Sequence, residues 1–190
     1  MPYDRTNVFR FYYVYNLPGL GDRPGFRPAN WVLDHWQVSG ITTLESGFPQ
    51  GITCQFTYSV NLFGGGDYSR CNLSASLQLP KDKRTFYQFF NTSVIGPPTA
   101  TNPGNAPPDA FRGPGVNDWD ISLFKNFPLG EQRAVQFRVE TFNTFNHPQF
   151  NTVNNTAQFN KAGQQVNDLL GQINGDYLPR QIQFALKFIF

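Results

Sequence analysis

The sequence predicts an all-β fold of about five long antiparallel strands in up-and-down order. Five segments alternate apolar and polar side chains, and the side chains of a strand change face at every residue. Charged residues make up only 15% of the chain, below the roughly 25% usual in soluble domains, whereas aromatic residues reach 16%. Glycine (17) and proline (15) fall mostly between the alternating segments, which indicates strands joined by irregular connections.

The first two alternating segments cover residues 7–17 and 35–46. Each of the five segments runs roughly 9–12 residues, the length at which a tilted strand crosses a bilayer and more than the usual ~5–6 residues of soluble sheets. Aromatic side chains dominate the apolar face of the first segment, and a tryptophan and aliphatic side chains dominate that of the second. These faces are Phe9, Phe11, Tyr13, Tyr15 and Leu17, and Trp36, Val38, Gly40, Thr42 and Leu44.

The other three segments cover residues 117–127, 134–145 and 180–190. Phe124 and Lys125 break the alternation near the end of the third segment. The apolar faces are Trp119, Ile121, Leu123 and Phe127 in the third segment, Val135, Phe137, Val139 and Thr141 in the fourth, and Ile182, Phe184, Leu186, Phe188 and Phe190 in the fifth.

The connections favour a membrane barrel over a soluble sheet. Residues 128–133 form a short polar turn, whereas 47–116 and 146–179 are long connections, the second with a short helix predicted at 164–170. Soluble domains seldom hold unstructured loops of such length, but outer-membrane barrels pair short periplasmic turns with long external loops. Because five strands are an odd number and too few to close a cylinder, the sequence predicts a fragment of a transmembrane β-barrel, an incomplete barrel with long external loops.

Composition and motifs exclude several other classes of protein. No run of 18 apolar residues occurs, so no transmembrane helix is predicted, and residues 1–18 lack the apolar core of a signal peptide. A net charge of +2 gives no reason to expect a nucleic-acid partner. The two histidines lack metal-ligand spacing, and neither a nucleophile elbow nor a phosphate-binding loop occurs. We therefore expect no metal, no cofactor and no enzymatic activity.

Cys54 and Cys71 are the only cysteines, and both lie in the long 47–116 connection. In an oxidising compartment they could form one disulfide, worth ~3 kcal/mol for a loop of this length. Two unrelated free thiols are an equally good interpretation. The sequence leaves both open.

The polar faces of the third and fourth segments supply candidate functional residues. Asp118 and Asp120 share a strand face and could act as a carboxylate pair or bind Ca²⁺, but such alternation is ordinary for side chains that line a wet lumen. Arg138 and Glu140 are expected to form cross-strand ion pairs rather than to touch solute. The predicted lumen-facing residues are Asp118, Asp120, Gln136, Arg138 and Glu140.

Three blocks of the chain resemble the C-terminal end of the barrel in Oar-like TonB-dependent receptors. They are WQVSGITTLESGFP at 36–49, RGPGVNDWDISLFKNFPLGE at 112–131 and FRVETFNTFNHPQF at 137–150. The closing QIQFALKFIF is similar to the last strand of such receptors. The resemblance covers most of the chain, and residues 51–101 match only loosely, as an external loop would.

The resemblance implies that residues 1–190 are the C-terminal fragment of such a receptor's barrel domain, without its plug domain or signal peptide. It implies a place in the cell outer membrane of a Gram-negative-type bacterium and the uptake of a large or scarce solute, with energy passed by TonB through the plug. The implied partners are outer-membrane lipid, the N-terminal barrel and plug of the same receptor, and the barrel-assembly machinery. In such proteins this machinery recognises the last strand, represented here by Phe184, Leu186, Phe188 and Phe190.

A second hypothesis comes from a different class of protein. A soluble or cell-surface β-sandwich that binds carbohydrate would also have aromatic-rich strands and long loops. The two hypotheses differ in what happens to the apolar faces. In a barrel fragment they lie open, whereas in a sandwich a second sheet buries them.

Overall fold

The computed structural model describes residues 4–19, 30–59, 70–99, 101–130 and 132–190. The chain divides into two compact units. The first, called the sheet unit, consists of Asn7–Glu45, Val116–Gln149 and Leu178–Phe190. The second, called the loop unit, consists of Met1–Thr6, Ser46–Gly115 and Phe150–Tyr177.

Regular structure in the described residues is almost entirely extended. Helical turns there are limited to α1 (Asn30–Leu33) and to 3₁₀ turns at Lys81–Lys83 and Thr92–Val94. The strands, in chain order, are β1 (Val8–Asn16), β2 (Trp36–Glu45), β3 (Pro49–Gln50), β4 (Thr53–Phe56), β5 (Asn72–Leu73), β6 (Ile95–Gly96), β7 (Phe111–Arg112), β8 (Val116–Pro128), β9 (Ala134–Phe142), β10 (Phe150–Val153), β11 (Thr156–Phe159), β12 (Ile173–Asp176) and β13 (Gln181–Ile189).

The sheet unit holds five strands in the order β1-β2-β8-β9-β13, each antiparallel to its neighbours. These strands are the five predicted segments, so the all-β, up-and-down prediction is confirmed, and they do not close into a barrel. The largest difference is that β9 ends at Phe142 instead of residue 145. Asn143 has a φ of 48°, a left-handed conformation that asparagine tolerates and that turns the chain out of the strand.

Strand register brings the predicted apolar faces to the same side of the sheet. One row across all five strands shows this: Tyr15 lies opposite Val38, and Val38 lies opposite Leu123. Leu123 lies opposite Val139, which in turn lies opposite Phe184. Because directly opposite residues point to the same face, the five faces form one continuous apolar surface.

This apolar surface is open at both edges of the sheet. Phe184 and Phe188 of β13 are 66% and 65% exposed, and Phe9 of β1 is 55% exposed. Residues of the three inner strands are mostly half-buried, because the side chains of neighbouring strands cover them. The described part of the sheet unit contains no second sheet that could bury the surface as a sandwich would.

The connection between β8 and β9 is the short turn that the sequence predicts. The backbone N–H of Leu129 donates to the carbonyl of Arg133 at 2.7 Å. Gly130 sits in this turn with a φ of 127°, which a residue with a side chain would adopt only under strain. The turn therefore depends on glycine at this position.

The long connections fold together around a core of their own, so the expectation of unstructured loops is wrong. Short strands pair as β3–β7, β4–β11, β5–β6 and β10–β12, and β4 with β11 is parallel. Phe90 and Phe111 come from the first connection and Phe159 from the second, and each is 1% exposed. Aromatic residues without any regular spacing thus supply a buried core for the loop unit.

The helix predicted at 164–170 is absent. Gln165 instead forms an isolated β-bridge with Phe159. The side-chain oxygen of Asn160 accepts hydrogen bonds from the N–H groups of Ala162 and Gln164 at 2.9 and 3.0 Å. Asparagine side chains therefore take backbone donors in a turn, which competes with helix formation.

Candidate functional site

The polar face of the sheet carries all five residues that the sequence assigns to a lumen. They lie on β8 and β9, where they alternate with Leu123 and Val139 of the apolar row and so point to the opposite side. The five residues are Asp118, Asp120, Gln136, Arg138 and Glu140.

A run of hydrogen bonds orders part of this face. The Gln136 amide donates from Nε2 to the side-chain oxygen of Asn126 at 2.8 Å. Its own oxygen accepts a bond from Nε of Arg138 at 2.6 Å. The Arg138 guanidinium also lies 5.2 Å from the centroid of the Phe124 ring, a cation–π contact. Phe124, an aromatic residue on the polar face, therefore supports the arginine.

Arg138 and Glu140 form no cross-strand ion pair with any residue that the structure describes, in contrast to the expectation. On β8, Arg138 lies opposite Phe124 and Glu140 lies opposite Ser122, and on β13 their neighbours are alanine and glutamine. An ion pair does form on this face between Arg10 Nη2 and Glu45 Oε1, at 2.8 Å. Sequence reasoning missed it, because the pair depends on the register of β1 against β2.

Asp118 and Asp120 bind backbone groups rather than each other. Asp118 accepts the N–H of Trp119 and Asp120 accepts the N–H of Asn143, both at 3.0 Å. Among the described residues, no group of three or more His, Cys, Asp or Glu side chains is placed to hold a metal ion. The two carboxylates therefore order the backbone near the strand ends.

Carboxylates and hydroxyls meet in a shallow depression on the polar face, with a volume of about 380 Å³. Ser39 and Ser122 contribute hydroxyls, Asp120 and Glu140 contribute carboxylates, and Tyr12 contributes its ring and hydroxyl. Such a lining can both donate and accept hydrogen bonds. Val14, Ile41 and Phe142 also line it, so the depression is polar only in part.

Lys125 is the one cation that interrupts the apolar rows of β8. It is only 2% exposed and donates from Nζ to the carbonyl of Asp34. Its ammonium lies 5.5 Å from the Trp36 ring centroid and 5.1 Å from that of Phe127. The charge near the end of β8 is therefore covered by aromatic rings, as in the aromatic belts at membrane interfaces.

Covalent and backbone links join the segments of the loop unit. Cys54 and Cys71 form a disulfide with a Cα–Cα distance of 5.3 Å, and both are buried. Cys54 lies on β4 opposite Ala157 of β11, at the point where the two long connections pair. Of the two interpretations that the sequence leaves open, the structure shows the disulfide.

Long amphipathic strands, one continuous apolar surface and an opposite polar face are features of a protein that spans a membrane with strands. A comparison with protein families agrees, since the family described as the outer membrane beta barrel domain matches residues 1–183. The chain belongs to this family. No curated protein and no solved structure matches this chain, which is called the barrel domain below.

Membership of the family places the barrel domain in the cell outer membrane of a Gram-negative bacterium, in association with membrane lipid. Phe9, Phe11 and Tyr15 of β1 and Phe184 and Phe188 of β13 are then on the lipid side of the sheet. The soluble sandwich is not favoured, because neither the family nor the open apolar surface fits it. None of the described helices is long and apolar enough to cross a membrane.

Proposed function

We propose that the barrel domain is the C-terminal part of an Oar-like TonB-dependent receptor and takes part in the uptake of a large or scarce solute. The observation that carries this proposal is the pairing of a lipid-suited apolar surface with a polar face of ordered hydrogen-bonding side chains. The three resembling blocks support it, since they fall on β2, β8 and β9 of the same sheet and on the residues that follow or precede them. In this proposal residues 1–190 belong wholly to the barrel.

The polar face would line the lumen, with Asp118, Asp120 and Glu140 nearer one end of the strands and Gln136 and Arg138 nearer the other. The role is binding and transport rather than catalysis. The folded loop unit would meet the solute outside the cell, because long connections of such barrels are external. Energy would reach the barrel from TonB through a plug domain of the same receptor.

Assembly would depend on the two edges of the sheet. Among the described strands, β1 and β13 each have one neighbour, so each leaves a row of backbone groups without a described partner that lipid cannot satisfy. Further barrel strands of the receptor would pair with both edges. β13, with Phe184, Leu186 and Phe188 on its apolar face and Phe190 directly after it, would be the strand that the barrel-assembly machinery recognises.

Transport is tested by comparing deletion strains on a panel of nutrients. A strain without the receptor that carries this domain should grow poorly on the solute that it imports. Deleting TonB in an otherwise normal strain should give the same defect, and deleting both should be no worse than deleting either. A receptor-dependent nutrient whose uptake persists without TonB would refute the proposal.

A further inference from the structure

Two aromatic residues of the loop unit, Phe86 and Tyr87, are exposed at the tip of a tight turn, by 45% and 75%. Thr85 and Gln88 close this turn. The N–H of Thr85 donates to the Gln88 carbonyl, and the N–H of Gln88 donates to the Thr85 hydroxyl, both at 3.0 Å. The two rings meet edge to face with their centroids 5.3 Å apart. Exposed rings in mutual contact indicate an interaction surface, which we call the aromatic turn.

The aromatic turn is fixed to the core of the loop unit on both sides. The Phe86 carbonyl accepts the N–H of Ile173 at 2.9 Å, and the N–H of Phe89 donates to the Gly171 carbonyl at 2.8 Å. Phe89 is buried, and the ring of Phe86 lies 5.9 Å from that of Phe150. Because this backbone is already ordered, contact with a partner would lose little free energy to ordering it.

Positive charge lies directly before the aromatic turn. Residues 81–84, KDKR, contain three cations and one carboxylate. Lys81 and Lys83 lie on an exposed 3₁₀ turn without buried residues. Arg84 lies 5.0 Å from the centroid of the Phe89 ring, which holds it against the core. The two lysines are therefore the charges that can meet a partner, and that partner is anionic.

The position of the barrel domain identifies an anionic surface close to the aromatic turn. The domain lies in the outer membrane, and five peptide connections join the loop unit to the sheet unit. This tether raises the effective concentration of the membrane surface at the loop unit. The exposure of Tyr87 also favours a flat partner, because a small solute binds in a concave site that covers its walls.

We propose that the aromatic turn docks on the anionic headgroup layer of the membrane that the sheet unit spans. Phe86 and Tyr87 then enter the interface, where aromatic side chains are enriched, and Lys81 and Lys83 face the anionic headgroups. The docking would hold the loop unit against the membrane surface. The inference uses the outer-membrane position alone and does not depend on the proposed transport.

The test places a fluorescent label at Gln88→Cys, which leaves both rings of the aromatic turn in place. The receptor that carries the domain is refolded into vesicles of equal amounts of phosphatidylcholine and phosphatidylglycerol, some with a nitroxide quencher on the headgroup. Cys54 and Cys71 stay bridged, and any cysteine outside this chain is replaced by serine. Quenching should be at least about twofold stronger than for the same label at Ala162→Cys, an exposed turn position of the loop unit.

Substitutions then separate the rings from the charges. Tyr87→Ser should remove most of the difference between the two label positions. Lys81→Gln with Lys83→Gln should weaken quenching at Gln88, as should high salt or vesicles of phosphatidylcholine alone. Arg70→Gln with Lys161→Gln is the matched control, since it removes the same charge from other exposed positions of the loop unit and should leave quenching unchanged. All variants should keep the circular dichroism spectrum of the unchanged protein, because the substituted side chains are exposed.

Three results would overturn the inference: equal quenching at the two label positions, no effect of Tyr87→Ser, or equal effects of the two charge substitutions. Alginate, an acidic polysaccharide, tests a soluble partner. If it changes the emission of the label through Tyr87 while the lipid does not quench it, the aromatic turn binds a soluble polyanion and the inference is wrong. Since the measurement needs neither TonB nor transport, its failure leaves the proposed function standing, and the reverse also holds.

Discussion

A charge placed on the lipid side of β13 should prevent stable assembly of the barrel. Phe184 is 66% exposed and ends the apolar row that begins at Tyr15, and its ring stacks on Phe137 at 6.3 Å. An arginine near the middle of a lipid-facing strand costs about 2–4 kcal/mol. Loss of the ring pair adds about 0.5–1.5 kcal/mol. We therefore expect Phe184→Arg to lower the free energy of unfolding by about 3–5 kcal/mol.

The neighbouring residue provides the control. Gln183 points to the polar face, opposite Glu140, so Gln183→Arg introduces the same charge where a carboxylate can meet it. Its effect on the free energy of unfolding should stay within about 1 kcal/mol. The measurement is a guanidinium titration of the receptor refolded into phospholipid vesicles, followed by tryptophan fluorescence. Equal losses for the two variants, or a larger loss for Gln183→Arg, would refute the assignment of the faces.

Three further predictions concern the disulfide, Gly40 and Thr42. Replacing both Cys54 and Cys71 with serine should destabilise the loop unit by about 3 kcal/mol, since the bridge closes a loop of 17 residues. Trypsin should then cleave residues 46–115 faster than in the unchanged protein. An unchanged cleavage rate would show that the disulfide does not stabilise the loop unit. Gly40→Val should cost about 1–3 kcal/mol in the same vesicle titration, because a Cβ there meets the Tyr13 side chain and comes within 2.6 Å of a carbonyl oxygen of β8. Thr42→Val on the same strand should be neutral or stabilising, since the buried Thr42 hydroxyl oxygen has no partner in the described structure; a large loss there would contradict this explanation.

The sheet could be predicted from the sequence because apolar and polar residues alternate regularly along its strands. Each strand repeats its pattern over nine or more residues, so the faces and approximate ends follow from alternation alone. Alternation does not predict which residues of neighbouring strands lie opposite one another. The Arg10–Glu45 ion pair was missed because it depends on that register. The Arg138–Glu140 expectation is wrong for the same reason, since neighbours on other strands decide which charges meet.

The loop unit could not be predicted in the same way. Its core residues lie on short strands and turns, so Phe90, Phe111 and Phe159 have no common spacing in the sequence. The disulfide is one of two equal interpretations of the sequence, because two cysteines in a connection without regular spacing give no distance between them.

The pairing of β4 with β11 makes the two long connections a single cooperative element. Each connection contributes part of one core, and four consecutive residue pairs join their backbones in parallel. Removing either connection would expose the apolar residues that the other one contributes, so both should lose protection from amide hydrogen exchange together. Insertions are then tolerated at exposed turns such as the one around Gly163 and not within β4 or β11. One connection grafted alone onto another barrel should therefore not fold into the structure that it has here.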